Sequence, residues 1–72
     1  LESDLEYNDI VCVIKKMDNL YSDVLYLYYY VGLNCKQIGS ILGRKHAAVR
    51  QQLRRGRLIL ISKLKDGGYL ND

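Results

Sequence analysis

The 72-residue sequence predicts an all-α fold, a compact four-helix domain with a C-terminal helix-turn-helix. Three observations carry that expectation. No segment alternates apolar and polar residues well enough to make a strand. Apolar residues recur instead at steps of three and four, the spacing that lines one side of an α-helix. The stretches patterned in this way are bounded by capping residues and glycines, at Asp18, Gly32, Asn34 and Gly43, and no proline, internal repeat, low-complexity run or linker interrupts them.

The first helix is expected over Ser3 through Lys16. Ser3 and Glu6 form a capping-box pair, acids crowd the first turns, and Lys15 and Lys16 close the segment, so its charges complement the helix dipole. Leu5, Ile10, Val13, Ile14 and Met17 supply its apolar face. Asp18 is the expected N-cap of a second helix, Asn19 to about Val31, which Gly32 ends. Leu20, Val24, Leu27 and Val31, at steps of four, three and four, are its expected buried stripe. Tyr21, Tyr26, Tyr28, Tyr29 and Tyr30 surround this helix in a chain with no Phe and no Trp. Most of these rings are expected in a small core with their hydroxyls reaching water, since base stacking uses exposed sheets or grooves rather than a helix pair.

Asn34 opens a third, short helix. Gln37 stands three residues on and completes a capping box, and Ile38, Ile41 and Leu42 give one apolar face. Gly43 follows the last periodic residue, where a chain can leave a helix through a left-handed conformation. The fourth helix is expected from about Lys45 into the low sixties, with Val49, Leu53, Gly56, Leu60 and Leu64 along one face. Two helices that cross steeply at a short turn need a small residue at the crossing, a permissive one in the turn and an apolar anchor beyond it. Gly39, Gly43 and Val49 fill those places in order. The bland alternative is an ordinary helical hairpin.

Charge separates the two readings. The chain is +3 overall, yet Asn34 to Lys65 holds nine Lys or Arg (Lys36, Arg44, Lys45, Arg50, Arg54, Arg55, Arg57, Lys63 and Lys65) and no acid. A patterned, one-signed segment of this kind points to a polyanion such as DNA. At about 100° per residue, His46, Arg50, Arg54 and Arg57 lie beside the apolar stripe, with Ala47, Gln51 and Arg55 further round the exposed face. A helix so marked fits the major groove. Arg50 and Gln51 are the expected base readers, because Arg pairs with guanine and Gln with adenine in a bidentate way. Arg54, Arg55 and Arg57 are expected on phosphates, which add affinity without sequence information. Lys63 and Lys65 lie towards the end of the groove or beyond it. From Leu1 to Leu33 six acids face only Lys15 and Lys16, so that half is expected to turn away from DNA and towards a protein.

Composition narrows the remaining classes. Two cysteines make no disulfide framework, and with one His there is no zinc set, so no metal or cofactor is expected. Cys12, placed on an apolar helix face, and Cys35 read as reduced thiols, so an intracellular, cytoplasmic setting is expected. The longest apolar run, Leu25 to Leu33, is too short to span a bilayer. An enzyme is not expected: His46 has no carboxylate, Cys or Ser at meaningful spacing, and no glycine loop cradles a phosphate. The start at Leu1 without Met suggests a piece of a longer protein, with Leu1-Glu2 as a cloning scar.

The run Val24-Leu25-Tyr26-Leu27-Tyr28-Tyr29-Tyr30-Val31-Gly32-Leu33-Asn34, followed by Lys36-Gln37-Ile38-Gly39-Ser40-Ile41-Leu42-Gly43 and Val49-Arg50-Gln51-Gln52-Leu53-Arg54-Arg55-Gly56-Arg57, resembles region 4 of the sigma-70 family of bacterial RNA polymerase sigma factors. The resemblance covers about Met17 to Leu64. It implies a four-helix domain that recognises the minus-35 promoter element and docks on the β-subunit flap of the RNA polymerase core, with an anti-sigma factor as a further partner. Matching positions carry the DNA role onto Lys45, His46, Ala47, Arg50, Gln51 and Arg54, with Arg55 near the backbone; Lys36 and Arg44 join them as basic residues of the same segment. Four departures stand out. Val31 replaces an acid, Gln37 a Glu, Arg44 an apolar turn residue, and Lys45 the usual Ser or Thr cap, a loss of about 1 kcal/mol at the start of the last helix. The region of a sigma factor that melts DNA and grips the polymerase has no counterpart in the chain. Two other readings compete: the DNA-binding domain of a LuxR-type regulator, which shares the Gly-Leu-Asn-x-Lys-x-Ile run but not the tyrosines, and a polymerase-binding interaction module that no longer reads DNA.

Overall fold

Helix boundaries fall where the capping residues stand. In a computed structural model of the chain, which describes residues 7–68, α1 spans Tyr7–Lys15, α2 Asn19–Leu25, α3 Cys35–Leu42 and α4 His46–Asp66. The Ser3–Glu6 capping pair and Leu5 lie outside the described residues. The Asp18 carboxylate accepts from the Leu20 N–H at 3.0 Å. Asn34 and Gln37 close the full capping box, each side chain accepting from the other's backbone N–H at 2.9 Å. Both caps satisfy N–H groups that the first turn of a helix leaves orphaned.

The core is the set of faces these helices turn inward. Val13, Ile14 and Met17 come from α1 and its exit, Val24 and Leu25 from α2, Ile38 from α3, and Val49, Leu53, Leu60 and Leu64 from α4. Burying each such side chain contributes about 1.5–3 kcal/mol. The longest element is α4, whose 21 residues extend about 32 Å in a molecule 35 × 18 × 17 Å. It serves as the spine against which α1, α2 and α3 pack.

The second helix departs from expectation. After Leu25 it widens into a π-helical stretch, Tyr26–Val31, and the Gly32 and Leu33 N–H groups both donate to the Leu27 carbonyl, at 3.1 and 3.0 Å. Of the expected stripe only Val24 is fully buried: Leu20 is 42% and Val31 50% exposed, while Leu25 is completely buried. The reason lies across the interface. A Cβ on Gly56 would stand 3.2 Å from the Tyr21 Cβ and 3.2 Å from the Leu25 Cδ1, so α2 meets α4 through the Tyr21–Leu25 edge at the point where α4 has no side chain. Three further expectations are corrected. Cys12 is exposed, because Val13, Ile14 and Met17 take the inward side of the first helix. Ile41 is 61% exposed, and α3 packs through Ile38 and Leu42 instead. Tyr28, Tyr29 and Tyr30 lie on the surface, with Tyr26 stacked on Tyr30 at 4.9 Å and Tyr28 edge-on to Tyr29 at 5.0 Å; of these five rings, Tyr21 and Tyr26 pack against the core.

Candidate nucleic-acid interface

The geometry of the site is set where α3 ends. Gly43 takes a left-handed conformation, φ 69°, and its N–H bonds to the Gly39 carbonyl. The Arg44 N–H donates to that same oxygen at 2.9 Å. The returning chain then passes so close to α3 that a Cβ on Gly39 would stand 2.6 Å from the Arg44 carbonyl oxygen and 3.6 Å from the Val49 Cγ2. Gly39 is therefore glycine for proximity and Gly43 for its backbone angle. Lys45 follows as an extended N-cap that makes no side-chain hydrogen bond, so the first N–H groups of α4 have no capping side chain there.

From that start α4 divides cleanly. Val49, Leu53, Gly56, Leu60 and Leu64 are buried, as the sequence spacing predicts. Lys45, His46, Ala47, Arg50, Gln51, Arg54, Arg55 and Arg57 are exposed. Ala47, Arg50, Gln51 and Arg54 line one shallow groove, and Lys36 is exposed on the first turn of α3. No acidic residue lies between Asn34 and Lys65, so the field over this face is of one sign. Among the described residues no three His, Cys, Asp or Glu side chains come together to hold a metal, and no helix is long and apolar enough to cross a membrane.

Arg44 is placed differently from its expected partners. Its half-buried guanidinium turns back onto α2, where Nη1 donates to the Leu20 carbonyl at 3.2 Å and Nη2 lies 3.7 Å from the Asp23 carboxylate. Nη1 also donates to the Gln52 Oε1 on α4 at 3.0 Å. Its contacts are made inside the domain because Leu20 and Asp23 offer acceptors just behind the turn. Sequence spacing alone assigns Gln52 no partner. The available signal was Arg44 itself, a charge at a turn position that the resembling family fills with an apolar residue.

The family model for sigma-70, region 4 matches residues 7–60, from the start of α1 to Leu60, less than two turns before the end of α4. The chain belongs to the sigma-70 region 4 family. No curated protein and no solved structure matches it. Sigma-70 region 4 domains are DNA-binding helix-turn-helix domains of transcription. The membership also sets the LuxR-type alternative aside.

Proposed function

We propose that the domain recognises the minus-35 promoter element as region 4 of a bacterial sigma factor, with the N-terminal half of α4 in the major groove. The observation that carries this reading is the two-faced construction of α4: an apolar edge locked against the core, and an exposed edge of Arg50, Gln51 and Arg54 around the small Ala47. Arg50 would bond guanine O6 and N7, and Gln51 adenine N6 and N7. Ala47 leaves room for close approach to the groove floor, where a methyl can meet thymine. Lys36, Lys45, Arg54 and Arg55 would hold phosphates, with His46 beside them at the groove edge. The uncapped start of α4 suits a phosphate there, because its free N–H groups and the Lys45 charge both attract an anion.

Docking on the RNA polymerase β-subunit flap would use another surface. A groove between α1, α2 and α3, lined by Ile14, Tyr26, Leu27, Ile41 and Leu42 with Lys15 and Asp23 at its rim, offers apolar area that the fold leaves open. The exposure of Ile41 beside it supports that use.

A selection from a randomised duplex pool, followed by titration of wild type and Arg50→Ala at two salt concentrations, tests the promoter reading. Wild type is expected to select a short motif, and Arg50→Ala to lose about 1–3 kcal/mol on it while relaxing one position. Binding that depends only on salt, with no motif and no effect of Arg50, would replace this reading with the polymerase-binding module.

A further inference from the structure

We propose that Arg44 is a positioning residue for promoter reading: it fixes the rotation of α4 about its axis and so sets which base edges Arg50 and Gln51 meet. The proposal rests on the reading of α4 as the base-contacting helix. Its observation is that one residue joins three helices. The Arg44 backbone is held on α3, its N–H on the Gly39 carbonyl at 2.9 Å and its own carbonyl over the Gly39 Cα. Its side chain is held on α2 by the Leu20 carbonyl and Asp23, and on α4 by Gln52.

Gln52 is the residue after Gln51, and it lies on the same helical turn as Arg50 and Leu53. A pull on its amide therefore acts on the part of α4 that would face the bases. Other restraints on this end are few. Lys45 makes no side-chain cap, and the first inward anchor is Val49, the fourth residue of the helix. An apolar anchor resists separation of the helices but resists rotation weakly, because packing is non-directional. Hydrogen bonds from a planar guanidinium are directional and supply what packing lacks. Side-chain tips lie about 6 Å from a helix axis, so a rotation of about 10° displaces them by about 1 Å. That displacement is enough to break a base hydrogen bond, whose useful range is about 2.7–3.2 Å.

A phosphate contact and a positioning role predict opposite results, and the 72-residue chain can be tested directly. Arg44→Leu, Arg44→Lys, Gln52→Met and the Arg44→Leu/Gln52→Met double variant are titrated against the duplex that wild type selects and against a scrambled one, over a series of salt concentrations, with folding followed by circular dichroism. Each single variant is expected to bind the selected duplex about tenfold more weakly, the effect of losing one or two hydrogen bonds. Affinity for the scrambled duplex and the slope of log affinity against log salt are expected to stay at wild-type values. The double variant is expected to be no weaker than Arg44→Leu, since both remove one linkage. Lys keeps the charge but lacks the fork, so Arg44→Lys is expected to behave like Arg44→Leu.

Weakening on both duplexes, with a slope smaller by about 0.9 in Arg44→Leu and restored in Arg44→Lys, would mark a phosphate contact and overturn the proposal. Undiminished binding of the selected duplex by the variants would overturn it as well. Should Arg44→Leu not fold, Gln52→Met carries the test, because it leaves the hold of Arg44 on α2 intact. A wild-type chain that selects no motif would instead sink the promoter reading and the positioning role with it, an outcome distinct from a motif that Arg44 variants read normally.

Discussion

The second and fourth helices carry nearly the same apolar spacing and obey it to different degrees. In α4 every residue of the stripe from Val49 to Leu64 is buried. In α2 and its π-helical continuation the stripe through Leu20, Val24, Leu27 and Val31 is buried fully only at Val24. The difference lies in what fills the other positions. Mostly basic and polar side chains occupy the remaining sides of the first half of α4, so burial in one orientation leaves its charged residues in water. Around α2, Tyr21, Leu25, Tyr26, Tyr28, Tyr29 and Tyr30 offer apolar surface in nearly every direction, and several rotations would bury similar area. Periodicity locates a buried face only when the alternative faces are costly to bury.

Two leucines on one helix put this to the test. Leu25 is wholly buried against Gly56 of α4, whereas Leu20 is largely exposed. Leu25→Ala is expected to destabilise the domain by about 3 kcal/mol in urea unfolding, within the range for a cavity left by a buried leucine. A loss below about 1 kcal/mol would mean that α2 is not docked through its Tyr21–Leu25 edge. Gly39→Ala comes next. Helix propensity favours Ala by about 1 kcal/mol, but the new methyl meets backbone rather than a mobile side chain, so a net loss of about 1–2 kcal/mol in thermal unfolding is expected. Equal or greater stability would show that the turn can move away from α3. The smallest effect is assigned to Leu20→Ala, at under about 0.5 kcal/mol, the range for surface substitutions. A Leu20→Ala loss matching that of Leu25→Ala would restore the simple periodic stripe and remove the contrast between the helices.

The site was legible to the extent that it is local. The capping box of Asn34 and Gln37, the left-handed Gly43 and the division of α4 into a buried and a basic face all involve residues within a few turns of one another. In the sequence Arg44 is one more cation of the basic segment, because its partners Leu20 and Asp23 lie more than twenty residues back along the chain. Gln52 had no visible partner at all until the turn brought Arg44 across it. The missing N-cap at Lys45, by contrast, was visible as a residue type and is present as expected.

By itself, the sequence determined that this chain is helical, where α3 and α4 begin, which side of α4 faces the core and where positive charge collects. Each of these follows from spacing, capping chemistry or composition along a single segment. Only the tertiary structure decided which edge of α2 meets α4, which tyrosines reach the surface and where the Arg44 guanidinium is spent. Those outcomes depend on a gap at Gly56, on a π-helical widening and on acceptors from a distant helix, and distance in sequence hides such partners until the fold has formed.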